Sequence, residues 1–271
     1  MVQEHRFEFG KNWQSFLKLV DEERIQAATD SLRVILKVED LSNKSFLDIG
    51  CGSGLFSLAA RRLGARVHSF DIDQQSVACA LELRKRFDQG SLWKIEQGSI
   101  LDEPFINTLR PCDVVYSWGV LHHTGRMWDA IEAASRLVAE RGIFCLAIYN
   151  DQGGASRRWR AIKKFYNSSP RPLRWMLIAL IALDHELRGF LSRLVRLENP
   201  LPFADWARRK QDRGMSFWHD IIDWVGGYPF EVATPDDVFT FLNSKGFDLA
   251  YLQTQMCGYG CNEFTFRRRA E

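Results

Sequence analysis

The sequence predicts an α/β fold: a mostly parallel sheet with helices on both faces, interrupted after its fifth strand by a largely helical insertion. Two observations carry this. Between Lys44 and Asn150, short apolar runs alternate with stretches of helical periodicity, the signature of βαβ units. After Tyr149 the alternation stops, and it resumes at Thr234 with one helix and two strand-like runs that can form an antiparallel edge on the earlier sheet.

The five core strands are expected at 45–49 (SFLDI), 66–70 (RVHSF), 93–97 (WKIEQ), 113–118 (DVVYSW) and 143–149 (IFCLAIY). Their near-continuous apolar character fits strands covered on both faces. Helical patterns lie between them at Leu55–Leu63, Ser76–Phe87 and Met127–Leu137. Residues 151–230 contain no strand-like alternation but carry Gly153–Gly154, Pro170, Pro172, Pro200, Pro202 and Gly226–Gly227, which punctuate helices and loops. In TPDDVFTFLNSKG, Thr234 is placed to cap a helix, Pro235 to open it and Gly246 to stop it. Strands at 247–254 and 262–268 follow, joined by MCGYGC. The chain thus divides into an N-terminal helical segment (1–43), the core (44–150), the insertion (151–230) and a C-terminal helix with two strands completing the sheet (231–271).

Composition bounds the function. The 271 residues are 46% hydrophobic and 26% charged, an ordinary globular balance with enough chain for a sizeable core. Lys+Arg 36 against Asp+Glu 34 argues against nucleic acid as a partner of the surface as a whole. The charged start MVQEHRFEFGKNWQ lacks the apolar centre of a signal peptide. The six cysteines (51, 79, 112, 145, 257, 261) are scattered and read as reduced thiols in a cytoplasmic protein. The longest uncharged apolar run, Trp175–Leu183, falls short of the roughly 20 residues a membrane span needs. Charge is uneven, however: residues 157–213 hold 14 Lys/Arg and 5 Asp/Glu, a local +9 that leaves −7 elsewhere. The bland reading is a solvated helical face; the sharper one is an anionic partner. Likewise 173–197, apolar with interspersed arginines, is read first as a core or dimer-forming helix and second as a helix at a membrane interface. A monomer or homodimer is expected.

The sharpest motif is LDIGCGSG, which places Asp48, Gly50, Cys51, Gly52 and Gly54 between a strand and a helix. Glycines there let the backbone turn tightly and approach a ligand. Leu55 stands where a dinucleotide fingerprint would have its third glycine. Asp48, two residues before the loop, suits an ammonium better than a pyrophosphate. A second acid, Asp71, ends the next strand, followed by Ile72; an acid there accepts hydrogen bonds from ribose hydroxyls in Rossmann-like folds. A ligand with an amino-acid end and a ribose end satisfies both.

With these residues, EQGSILD (96–102) and DVVYSWGVLHH (113–123), the segment from Lys44 to Tyr149 resembles the class I S-adenosylmethionine-dependent methyltransferases. The resemblance implies a Rossmann-like seven-stranded sheet with the last strand antiparallel, and S-adenosyl-L-methionine as cofactor. It implies that Asp48 and the glycine loop face the methionine part and Asp71 with Ile72 the ribose. Ser99 and Ile100 fall beside the adenine, though many members carry Asp at the position of Ser99. Ser117 and Trp118 close the fourth strand at the same site, and Phe9 and Trp13 form a lid over the cofactor.

Methyl transfer from a sulfonium requires positioning of the acceptor and exclusion of water, with a base where an oxygen or nitrogen must lose a proton. His123 is the first candidate as base or orienter, His122 the second, on the loop after the fourth strand. The acceptor side is expected from Tyr149 and Asn150 and from FWHDIIDWVGGYPFE (217–231), with Trp218, His219, Asp223, Tyr228 and Glu231 as polar and aromatic groups; His219 is a third catalytic candidate. Cys257 and Cys261 offer two ligands without a second pair, so no metal is implied. The expected activity is methylation of a small or carrier-linked acceptor, with an oxygen of a sugar, a quinone or phenol, or a secondary metabolite as the expected target. An RNA methyltransferase using the basic segment and a non-catalytic cofactor-binding scaffold are the alternatives.

Overall fold

Asp21 opens a helix at Glu22 by accepting the N–H of Arg24 on its side chain, and Lys37 ends it in the left-handed conformation. This helix, α1 (Glu22–Leu36), packs Ile25, Ala28, Leu32 and Ile35 inward, the i, i+3, i+7, i+10 spacing of one face. The computed structural model describes residues 17, 19–196, 199, 217–255 and 260–270. In chain order it continues with β1 (Ser45–Ile49), α2 (Leu55–Arg62), β2 (Arg66–Asp71), α3 (Gln74–Phe87), β3 (Trp93–Gln97), a single helical turn α4 (Glu103–Ile106), β4 (Cys112–Trp118), α5 (Met127–Arg136) and β5 (Val138–Tyr149).

The seven strands form one sheet in the order β3-β2-β1-β4-β5-β7-β6, where β6 is Phe247–Gln253 and β7 is Cys261–Arg268. The pairs among β1 to β5 are parallel. β7 runs antiparallel to both of its neighbours, β5 and β6, so the last strand of the chain is inserted into the sheet and β6 takes the edge. Strand order reverses between β1 and β4, and open α/β sheets bind ligands in the crevice at such a switch point.

The period-2 alternation of each strand feeds two cores. Leu47, Val115, Phe144 and Phe266 face the layer holding α5; Phe46, Val114, Cys145 and Trp93 face the layer of α1 and α2. Phe46, Phe144 and Phe266 are fully buried, each stabilising the fold by roughly 1.5–3 kcal/mol.

One boundary differs from the sequence reading. β5 begins at Val138 instead of Ile143, because Cys112 pairs with Val138 before a bulge restores register at Val114 with Ile143. The bulge carries exposed Glu140 and Arg141, the latter at φ 57°, and this polar interruption hid the first half of the strand. The insertion holds α6 (Gly154–Ser168), α7 (Arg171–Val195) and α8 (Phe217–Gly226), packed through Tyr166, Ile178, Ala182, Ile221 and Val225. Next comes α9 (Pro235–Ser244), whose cap is reciprocal: Thr234 accepts from the Asp237 N–H while the Asp237 carboxylate accepts from the Thr234 N–H. No helix among the described residues is long and apolar enough to cross a membrane.

Candidate functional site

The loop between β1 and α2 is held in a conformation that only glycine adopts cheaply. Gly50, Gly52 and Gly54 have φ of 74°, 53° and 83°, the left-handed region closed to most side chains. Space is short as well: a Cβ on Gly50 would meet Val120 Cγ1 at 2.4 Å, and one on Gly54 would meet Ala80 Cβ at 2.9 Å. The N–H groups of Gly50 and Cys51 both point back to the Phe70 carbonyl, at 2.8 and 3.2 Å, which anchors the loop to β2.

Two carboxylates bracket it. Asp71, at the end of β2, accepts the Gly52 N–H on one oxygen at 3.0 Å and the Asp73 N–H on the other at 2.9 Å. Asp48, in β1 and only 3% exposed, accepts the Ser57 hydroxyl. Ser57 in turn meets the Ser69 hydroxyl at 2.7 Å, which takes the Trp93 indole N–H at 2.8 Å. Burial raises the Asp48 carboxyl to about 7, with Ser57 opposing and the Asp71 charge adding to the rise. Burial also raises Asp71 to about 6, against its backbone hydrogen bonds. The same burial, with both carboxylates nearby, pushes the Cys51 thiol up and keeps it neutral. The site therefore concentrates negative charge that its own residues do not balance fully, as a pocket for a cation does.

Around the rim, the Gly98 N–H donates to the Asp71 carbonyl at 3.0 Å and the Gln97 amide to the Ile72 carbonyl at 3.0 Å, bringing the β3 loop beside Asp71. Ile72 is half exposed and Ile100 buried; the Ser99 hydroxyl accepts the Leu101 N–H at 3.2 Å. At the switch point, where the β1–β4 ladder ends, the Ser117 hydroxyl donates to the Ile49 carbonyl at 3.2 Å. Trp118 sends its indole N–H to Glu263 of β7 at 3.1 Å.

Beyond β4, residues 121–123 form one tight 3₁₀ turn. His122 is fully buried, its Nδ1 accepts the Tyr149 N–H at 3.4 Å, and its ring lies 3.9 Å from that of Tyr149. Its Nε2 is buried without a hydrogen-bond partner among the described residues. His123 is half-buried and its Nδ1 lies 2.6 Å from the Pro229 carbonyl. A carbonyl only accepts, so Nδ1 carries the proton and the tautomer is set. Burial, with the Lys163 charge second, lowers the His123 imidazole to about 3; burial, with the neighbouring His123 second and Lys163 third, takes His122 well below its ordinary range. Both rings are neutral at physiological pH.

Lys163 is the group the sequence reading missed. It is fully buried on α6, donates to the Trp224 carbonyl, and its ammonium stands 4.2, 4.7 and 5.6 Å from the ring centres of Trp224, Phe230 and Tyr149. Cation–π attraction of this kind strengthens when the charge is desolvated. A signal existed: Trp159, Lys163 and Tyr166 fall at i, i+4 and i+7 on the inward face of α6.

The other expected residues fall into two groups. Tyr149 joins His122, His123, Trp224 and Phe230 in one aromatic cluster, with half-buried Tyr228 next to Pro229. Asn150 donates to the Gln255 carbonyl at 2.7 Å and accepts from Asn262 at 3.1 Å, which stitches the ends of β5, β6 and β7 together. Glu231 accepts the Met127 N–H at 3.1 Å, a cap for α5, where the helix dipole favours an anion. Phe9, Trp13 and Cys257 lie outside the described residues, as do the side chains of Trp218, His219 and Asp223 on α8.

Residues 47–144 match a family model described as a methyltransferase domain. The ribosomal protein L11 methyltransferase of Legionella pneumophila (strain Lens) is 54% identical over 52 residues, 18% of each chain. The ubiquinone biosynthesis O-methyltransferase of Pelagibacter ubique is 28% identical over 110 residues, 41% of this chain and 44% of that one. The chain thus spans less than half the length of these curated relatives. In three dimensions, the magnesium protoporphyrin IX methyltransferase of Synechocystis superposes with a TM-score of 0.55 at 14% identity, covering 95% of this chain and 93% of that one, a likeness of fold. Residues 47–144 of this chain thus match a methyltransferase domain, and the seven-stranded sheet built around that segment shares its fold with the methyltransferase structure above.

Proposed function

We propose that this chain uses S-adenosylmethionine to methylate a small or carrier-linked acceptor at an oxygen, oriented by His123. The observation that carries the donor half is the left-handed glycine loop tied by its Gly52 N–H to the Asp71 carboxylate at the switch point. The residues fit such a donor. Glycine at 50, 52 and 54 leaves the loop without side chains on its left-handed turns, so backbone can approach a ligand; Asp48 and Asp71 offer negative charge and acceptors to an ammonium and to ribose hydroxyls; Ile72 and Ile100 offer apolar surface beside Asp71. When bound, the donor supplies an already activated methyl group.

The chain's own residues then have to hold the acceptor and exclude water. With Nδ1 protonated toward Pro229, Nε2 is the unprotonated nitrogen of the His123 ring, the one whose chemistry is to accept a hydrogen bond. A base whose conjugate acid titrates near 3 removes protons poorly near pH 7. His123 therefore serves best as an orienter, and an acceptor oxygen that ionises readily, such as a phenol, suits it better than an aliphatic hydroxyl. The Tyr149, Trp224 and Phe230 rings supply an apolar wall.

The donor reading is tested by calorimetric titration with S-adenosylhomocysteine, with NADH as control. We expect about micromolar binding of the former only. Asp48 and Asp71 start raised, at about 7 and 6, and a ligand that needs them ionised must displace their protons. Affinity should therefore be full at pH 8 and fall about tenfold by pH 6, with proton release visible in the buffer dependence of the heat. Absence of binding at both pH values would overturn the donor assignment; a flat pH profile would remove the two carboxylates from it.

For the acceptor half, His123→Ala should lower turnover of a phenolic acceptor, found by screening with labelled donor, by about tenfold to a hundredfold. S-adenosylhomocysteine affinity should stay within about twofold. Undiminished turnover would take His123 out of the reaction.

A further inference from the structure

We infer that α7 docks this protein on an anionic lipid surface, with its apolar stripe in the headgroup boundary. Met176, Leu180, Leu183, Leu187, Phe190 and Leu194 are each between 40 and 64% exposed. Their spacing alternates four and three residues, so at about 100° per residue they line one side of the helix. Ile178 and Ala182, on the other side, pack into the core of the insertion. The helix is thus apolar twice over, once toward its own domain and once toward solvent. Monomeric proteins rarely expose contiguous apolar surface of this length unless something covers it.

Charge selects the occupant. Residues 154–196, covering α6 and α7, carry ten Lys/Arg against two Asp/Glu, and Arg157, Arg158, Arg160 and Lys164 are exposed on α6. A second copy docked on the stripe by a two-fold axis would bring the same basic helices together, like charge against like. An anionic bilayer complements both features: the leucines and Phe190 enter the acyl boundary while arginines meet lipid phosphates. Exposed Trp175 is suited to the same interfacial depth.

The opposite face of α7 packs with Ile221 and Val225 of α8, and Trp224 of that helix meets Tyr149 edge to face at 5.0 Å. One helical layer therefore separates the lipid-facing stripe from the aromatic wall beside His123. This arrangement assigns the acceptor to molecules with an apolar tail held in the bilayer, a clause that rests on the methyltransferase reading. Docking itself does not.

Sedimentation with vesicles tests it, using the full chain, phosphatidylcholine vesicles and phosphatidylcholine vesicles containing phosphatidylglycerol. The protein should partition to the mixed vesicles at least about tenfold better than to the neutral ones. Leu183→Glu combined with Leu187→Glu, at positions exposed in the fold, should reduce that binding about tenfold or more without changing the melting temperature or S-adenosylhomocysteine affinity. Protein that stays in the supernatant with both vesicle types overturns the inference. So does a dimer in sedimentation velocity that the same two substitutions dissolve, or RNA binding in the absence of vesicle binding. Vesicle binding without S-adenosylhomocysteine binding would remove the methyltransferase reading and leave the docking surface standing; the converse result would do the opposite.

Discussion

Gly50→Ala should bind S-adenosylhomocysteine at least about a hundredfold more weakly than the parent, and should lose about 3 kcal/mol of stability. Two costs add. At φ 74° an alanine meets the left-handed penalty of roughly 1–2 kcal/mol. Its Cβ would also stand 2.4 Å from Val120 Cγ1, so the chain must move one of two things: the Gly50–Gly54 loop or the segment after β4 that carries His122 and His123. Either movement spoils the site. Val120 is half-buried, so Val120→Ala alone should be mild, and the double substitution should regain part of the lost stability by relieving the contact. Affinity should recover less than stability, because the left-handed penalty remains. A calorimetric titration with a thermal melt on all three proteins checks this. Equal affinity in Gly50→Ala and the parent would mean that the loop does not contact the ligand.

Asp71→Ala should raise the S-adenosylhomocysteine dissociation constant about thirtyfold to a hundredfold, the loss of charge-assisted hydrogen bonds worth some 2–3 kcal/mol. Its effect on stability has a different sign structure. The Asp71 carboxyl is raised in the fold to about 6 from an ordinary 3.8. A carboxyl raised on folding destabilises the native state where it is ionised, and that penalty disappears as pH falls below its folded value. Against this stand the Gly52 and Asp73 N–H bonds it accepts. The two effects offset, so the variant should melt within about 1 kcal/mol of the parent at pH 7 while binding far more weakly. Asp71→Asn, which keeps an acceptor for the backbone but no charge, should fall between parent and alanine in affinity. A variant that loses stability and affinity in proportion would point to a purely structural Asp71.

The contrast between these two positions and Lys163 shows where the sequence could be read. Gly50 and Asp71 are legible because their requirement is local: a backbone turn after a strand, and an acid at the end of the next. The five strands and the Thr234 cap were legible for the same reason, each announced by neighbours within a few residues. Lys163 is different. Its aromatic surroundings come from Tyr149, Trp224 and Phe230, on separate elements, and a lysine among arginines reads by default as a solvated residue. The start of β5 was hidden by a bulge that places Glu140 and Arg141 inside a strand. Glu231, expected toward an acceptor, has its carboxylate at the start of α5; nothing adjacent to it in the chain reveals that Met127 is its neighbour.

The place of β7 governs how the chain must assemble. It follows β6 in the chain, yet it lies between β5 and β6 and pairs with β5 from Ile143 to Tyr149. Until it arrives, a nascent chain presents the run IFCLAIY as an open strand edge, the kind of template on which unfinished chains associate. Pairing Tyr149 with Cys261 also closes the whole insertion as one loop. That closure entropy grows only logarithmically with length, so lengthening the insertion costs little stability, while the long sequence separation slows the step. The same pairing of β7 with β5 brings Asn262 to Asn150 and Glu263 to Trp118. The rim of the site is complete only with β7 in its place between β5 and β6.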